Sequence, residues 1–200
     1  MPITIPPVDF RVIMPEIIIT IFASLAMLLE AFLPNQRKWI IPNLSLIGTL
    51  IAAYFCLPLW NSNLSVWQGQ ALGDNLAVIF KIIFLLGTLL TILISHLKST
   101  QTLGGEYYSL ILFSTLGMMI MASSSDIIVI FLGLEVMSIA LYILAGFNRT
   151  DLKSNESSMK YFLMGAFSTG FLLYGIALIY GTTGSTNLET LFSTADLTEP

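Results

Sequence analysis

The chain has 200 residues, 56% of them hydrophobic and only 10% charged, with a mean hydropathy of +0.85. A soluble domain usually carries about 25% charged residues, so this composition excludes one and reads as an integral membrane protein. The net charge of −4 comes without a basic stripe or a charged tail, which argues against a nucleic-acid surface.

The opening MPITIPPVDF has no positive region, and no small-residue cleavage site follows the first apolar run, so it is not expected to be a cleavable signal. Six apolar segments come next, at residues 16–33, 39–60, 76–97, 107–122, 127–147 and 159–180. Each is near the roughly 20 residues a helix needs to cross a bilayer. They lack the alternation of barrel strands, and helices are the other way to satisfy a backbone in lipid. The expectation is an all-α polytopic membrane protein with six transmembrane helices.

Pro34 and Asn35 end the first segment, and Glu30 lies in its last turns, near Arg37 and Lys38. It could pair with those cations or line an entrance. Cys56 is the only cysteine and His96 the only histidine, so neither a disulfide within the chain nor a thiol or imidazole metal cluster can form. Lys81, about a turn and a half inside the third segment, is expected to snorkel to the interface. Gly104 and Gly105 precede the fourth segment, the shortest of the six. Glu106 and Asp126 fall at helix starts, where a carboxylate meets the helix dipole; capping is expected of both, with Glu106 also near a cytoplasmic mouth.

The fifth segment holds Glu135 in a run otherwise free of charge until Arg149. A carboxylate near the middle of such a helix costs at least about 2.5 kcal/mol by insertion scales, and intramembrane acids usually mark ion or proton paths. Ser138 and Tyr142, three and seven positions on, share its face as expected hydroxyl partners. The plainer alternative is a neutral acid tying helices together. Glu156 and Lys160 are spaced for a helical ion pair at the start of the sixth segment, followed by Ser168 and Thr169. A snorkelling helix-start pair and a functional one fit equally well. Beyond residue 181 the chain turns polar, Thr-rich and acidic, with a short apolar pair, Leu191 and Phe192, and reads as an external loop.

Basic residues set the orientation. Arg37, Lys38, Lys98, Arg149 and Lys153 occupy alternate loops, and only Arg11 opposes them. By the positive-inside rule those loops are cytoplasmic and the amino terminus is outside. No phosphate loop, dinucleotide fingerprint or cluster-binding set is present, so redox chemistry is expected in partners.

Two stretches, FLGLEVMSIALYILAGF around Glu135 and ESSMKYFLMGAFSTGFLLYGIALIYGTTG around Lys160, together with GEYYSLILFSTLGMMIMASSSDIIVIF, resemble the subunit N family of bacterial proton-pumping NADH-quinone oxidoreductase, respiratory complex I. The resemblance implies the amino-terminal part of a fourteen-helix antiporter-like fold with two inverted repeats. Residues 1–103 would be three amino-terminal helices, and 104–200 the start of the first five-helix repeat. Glu135 matches the fifth-helix glutamate that pairs with a lysine on a broken seventh helix, and Glu106, Glu156 and Lys160 match polar positions on the proton intake side. The chain stops before a seventh helix, so it is expected to be a fragment in which Glu135 lacks its partner.

The resemblance further implies no cofactor in this chain, with NADH, FMN, iron-sulfur clusters and quinone held by other subunits. Its partners would be antiporter-like subunit M, small membrane subunits and the lipid bilayer, in the bacterial inner membrane. A cation/proton antiporter, a membrane-bound hydrogenase subunit and a structural assembly subunit are the alternatives.

Overall fold

The computed structural model describes residues 9–34, 37–98 and 104–196. Asn35, expected to punctuate the end of the first span, lies outside them, as do the first eight residues of the opening stretch. Among the described residues seven α-helices form: α1 (Met14–Phe32), α2 (Ile40–Cys56), α3 (Asn75–Lys98), α4 (Gly105–Ala122), α5 (Ile127–Ala145), α6 (Leu152–Thr183) and α7 (Leu188–Asp196). The six expected spans correspond to α1–α6. Five of these are long and apolar enough to cross a membrane by length and composition. The exception is α4, whose 18 residues begin with Gly105, Glu106 and two tyrosines.

That helix can be more polar because protein surrounds it. It packs between α1, α3 and α5, and its Ser109, Ser114 and Thr115 are buried. Hydroxyls in such a setting must be satisfied locally. Thr115 donates to the carbonyl of Ile111 and shares a hydrogen bond with Thr88 of α3, while Ser109 donates to the Ala23 carbonyl of α1. The same backbone return serves Thr20, Ser45 and Thr49. Around these hydroxyls lies a core of Ile19, Ala23 and Ala26 from α1, Leu85 and Ile92 from α3, and Leu112 and Met119 from α4.

Small residues set how close the helices come. A Cβ on Gly117 of α4 would stand 2.5 Å from the Gly133 carbonyl oxygen and from the Met137 nitrogen of α5. Without lipid-excluding hydrophobic force between helices, such close backbone approach is what holds them together. On the far side, a Cβ on Gly105 would meet the Ala26 carbonyl oxygen at 2.5 Å. Between these two contacts α4 is clamped, and α5 is fixed beside it.

The sixth helix is longer than the expected span. It starts at Leu152 rather than near residue 159, because Asp151 caps it by accepting the Lys153 N–H at 3.1 Å. It ends where Gly184 adopts φ 68°, a left-handed C-cap that glycine takes without strain. At 32 residues and about 1.5 Å per residue it spans about 48 Å, more than a hydrocarbon core, so its first turns extend beyond an apolar layer. It packs chiefly on α5, and Ile176 is its one buried residue.

One element departs from the all-helical expectation. The loop between α2 and α3 folds into a short antiparallel hairpin, β1 (Leu64–Val66) with β2 (Ala71–Gly73), in which Leu64 faces Gly73. Its turn holds Trp67, Gln68 and Gly69 at positive φ. The strain at the first two is offset by ties to the rest of the chain: the Leu72 N–H donates to the Ser123 carbonyl, the Ser125 N–H to that of Gly69, and the Asn187 amide to that of Gln68. A Cβ on Gly69, at φ 89°, would strike Ser125 Oγ at 2.3 Å. The segment before α7 is stitched to the same place, since the Ile127 N–H donates to the Thr186 carbonyl and the Leu188 N–H to that of Ser125. The stretch after residue 181, read as an external loop, is in part the end of α6 and α7.

Candidate functional site

Glu135 lies midway along α5, two residues from the Gly117–Gly133 contact that presses α5 against α4. Its side chain is half-buried, and Oε1 is enclosed without any hydrogen-bond partner. Ser138 and Tyr142 are both buried on this helix, as helical spacing requires, yet neither hydrogen-bonds to the carboxylate. Three and seven residues of rise carry their hydroxyls past it, so the expected partnership is not made. An enclosed, unpaired acceptor costs about 1–3 kcal/mol, more for a charged group. Nothing among the described residues offsets that cost for Glu135.

Tyr142 is held instead by α6. Its ring meets Tyr161 edge-on at 4.8 Å and Phe162 at 5.8 Å, and its backbone carbonyl accepts from Ser158 Oγ at 2.8 Å. Gly165 makes room for the phenol, since a Cβ there would sit 1.9 Å from the Tyr142 hydroxyl oxygen. A cavity of about 490 Å³ opens beside it, lined by Ile143, Gly146, Asn155, Ser158 and Met159.

The charges expected at the intake side lie at the same end of the bundle. Glu156 and Lys160 form the expected i,i+4 pair at 2.5 Å, but both are exposed, at 64% and 70%. Glu106 sits in the first turn of α4, where Gly104 rather than a side chain occupies the cap position, and it approaches Arg149 at 3.8 Å. No hydrogen bond or ion pair joins Glu135 to Glu106, Glu156 or Lys160 among the described residues. Glu30 takes the pairing alternative: it bonds Lys38 with one oxygen and accepts the Gly105 N–H at 2.6 Å with the other, tying the start of α4 to the end of α1. Asp126 caps α5 as expected, accepting from the N–H groups of Ile128 at 2.8 Å and Val129 at 3.3 Å. Its second oxygen takes the Thr186 hydroxyl.

Lys81 does not snorkel. It is fully buried and forms an ion pair with Glu16 of α1 at 2.6 Å, with the Val12 carbonyl as a further acceptor at 3.3 Å. The physical reason is proximity: the first turn of α1 and the second turn of α3 lie at one depth, and the carboxylate is nearer than water. Ser123 Oγ also approaches Glu16 Oε1, at 3.4 Å. Among the described residues, no three His, Cys, Asp or Glu side chains are grouped to hold a metal ion.

Residues 124–199 match the family model described as NADH:quinone oxidoreductase/Mrp antiporter, transmembrane. NADH-quinone oxidoreductase subunit N of Trichlorobacter lovleyi is 48% identical over 188 residues, which cover 93% of this chain and 39% of that protein. Among solved structures, respiratory complex I from Thermus thermophilus with bound aureothin contains a chain that superposes with a TM-score of 0.75 at 32% identity, covering 88% of this chain and 38% of its own. A membrane-bound sulfane sulfur reductase, an archaeal respiratory membrane complex, superposes at 0.78 but only 22% identity, a likeness of fold alone. The chain spans about two fifths of the length of the curated relatives it matches.

Proposed function

We propose, from the premise that this chain belongs to the antiporter-like membrane family that includes subunit N of NADH-quinone oxidoreductase, that it contributes to redox-coupled proton translocation as part of such a subunit. The observation that carries the reading is the enclosed, unpartnered Oε1 of Glu135 in the middle of an otherwise uncharged spanning helix. An acid held there without a partner gains or loses a proton according to the charge brought near it. Glu135 is the coupling acid in this scheme. A cation presented by another helix of the full-length subunit favours its ionised form, and withdrawal of that cation favours proton uptake.

Glu106, Glu156 and Lys160 serve the intake side, in the solvated turns at the ends of α4 and α6. The cavity beside Tyr142 and Ser158 lies where the end of α5 meets the start of α6, and in this scheme it holds the water that carries the proton. Residues 1–103 act as an amino-terminal three-helix unit, and 104–200 begin the antiporter-like repeat. The redox steps, with NADH, FMN, iron-sulfur clusters and quinone, take place in other subunits. Subunit M and the small membrane subunits are the expected neighbours, in a bacterial inner membrane with the amino terminus outside. A cation/proton antiporter is the second reading, supported by the family description that names both systems.

The test is Glu135→Gln in the full-length subunit within the assembled complex. Proton pumping in membrane vesicles should fall together with coupled quinone reduction, and Glu135→Asp should recover part of both. Unchanged pumping in Glu135→Gln would remove Glu135 from the mechanism.

A further inference from the structure

The contacts that hold Tyr142 leave its hydroxyl unused. Tyr161 and Phe162 grip the ring edge-on and Ser158 takes the carbonyl, but among the described residues nothing hydrogen-bonds to Oη. A buried phenol usually finds such a partner, and Tyr142 is only 8% exposed. Ser138, equally buried, has an Oγ in the same condition. Glu135 completes the set, since positions 135, 138 and 142 share one face of α5. Its Oε1 is enclosed, whereas Oε2, like the two hydroxyl oxygens, is not walled off. Polar atoms gathered on one face without protein partners are the usual setting of ordered water.

Depth decides what these atoms do together. Ser154 and Ser158 of α6 donate to the carbonyls of Ala145 and Tyr142, so residue numbers fall along α5 as they rise along α6. Seven residues beyond Ser158, about 10 Å along the helix, the same register brings Gly165 level with the turn of Glu135 and Ser138. The Tyr142 hydroxyl lies against Gly165, leaning back toward the start of its own helix as long side chains do. Tyr142 therefore begins at the cavity it lines with Ser158 and ends, at Oη, level with Ser138 and one turn short of the acid. One turn is about 5 Å, the span of two O–H···O bonds through a single water.

We propose that Tyr142 Oη is a proton relay between this cavity and Glu135, with a water held by Ser138 Oγ as the last carrier; the relay stands on the coupling role of Glu135. A hydroxyl both donates and accepts. A protonated water in the cavity gives a proton to Oη as the phenolic proton passes to the water at Ser138, which gives one of its own to Glu135 Oε2. The phenol and the bridging water end with the protons they began with, the cavity loses one, and the carboxylate becomes a carboxylic acid. Aromatic packing rather than hydrogen bonding fixes the ring, so the hydroxyl is free for this exchange.

Tyr142→Phe keeps the ring and its edge contacts and deletes only Oη. In the full-length subunit of the assembled complex it should lower the initial rates of proton pumping and coupled quinone reduction, per assembled complex, as far as Glu135→Gln does. The double variant should lose no more than either alone, because both groups sit on one path. Tyr161→Phe deletes the neighbouring hydroxyl and should leave both rates unchanged. Gly165→Ala retains the phenol but sets a Cβ 1.9 Å from Oη; it should impair pumping as well, which keeps the test sharp if Tyr142→Phe assembles poorly. Full rates in Tyr142→Phe or Gly165→Ala beside an impaired Glu135→Gln overturn the relay alone, as does a loss in Tyr161→Phe equal to that in Tyr142→Phe. Full rates in Glu135→Gln overturn the coupling role and the relay with it.

Discussion

Replacing Lys81 by methionine keeps the length and the apolar stem of the side chain and deletes its charge. The two charges stand 2.6 Å apart with side chains only 1% and 9% exposed. At an effective dielectric of about 20, unit charges at that separation attract by about 6 kcal/mol. Taking two ions out of water costs several kcal/mol each, so attraction and desolvation nearly cancel and the pair adds little net stability. Removing one member breaks that balance. Lys81→Met leaves Glu16 enclosed with a nearby serine as its only contact, and should cost about 3–5 kcal/mol.

The double variant Glu16→Leu, Lys81→Met has no charge to strand and should unfold within about 1 kcal/mol of the unaltered chain, or above it. Equilibrium unfolding of the four chains in detergent, followed by circular dichroism and tryptophan emission, yields the coupling energy from the double-mutant cycle. Additive losses, or a loss below about 1 kcal/mol in Lys81→Met, would mean that the lysine reaches water and that the buried pair does not form.

Substitutions at three further positions probe how α5 is held. Gly117→Ala drives a Cβ against backbone atoms of Gly133 and Met137 at 2.5 Å, so α5 must move; a loss of about 1–3 kcal/mol in the same unfolding assay is expected. Gly175→Ala, with nothing within 4 Å, should be neutral or stabilise by up to about 1 kcal/mol, and a loss there as large as at Gly117 would refute the close-approach argument. Asp126→Ala removes the cap of α5 and the tie to Thr186, and should cost about 0.5–2 kcal/mol, with faster amide exchange at Ile128 and Val129. Asp126→Asn keeps an acceptor and should recover most of the protection.

The spans were legible because lipid imposes a single rule over about 20 residues, and a run such as 127–147 obeys it whatever its neighbours do. Charges at helix starts were legible for a similar reason: Asp126 acts on N–H groups two and three residues away, so its role is local. Hydropathy could not find the start of α6, since Lys153, Ser154, Asn155 and Glu156 are helical without being apolar, although the cap residue Asp151 marked it. The hairpin was hidden for a different reason. Its strands are three residues each, and its turn is stabilised by Ser123, Ser125 and Asn187, more than fifty positions away.

Side-chain partnerships divide along the same line. Glu156 with Lys160 and Glu30 with Lys38 are close in sequence and were open to reading. Glu16 and Lys81 are not, and helical spacing is silent on pairs that only packing brings together. The sequence presents Lys81 as an awkward cation near an interface, for which snorkelling suffices; the fold supplies the acid. Glu135 is the opposite case, because its own helix suggested hydroxyl partners and the fold withholds them. The two acids therefore differ in kind. Glu16 has one oxygen fixed by a buried lysine, so its partner is settled within the fold. Glu135 has no cation beside it among the described residues, and its enclosed, unpartnered oxygen on a spanning helix is the feature on which the proposed coupling role rests.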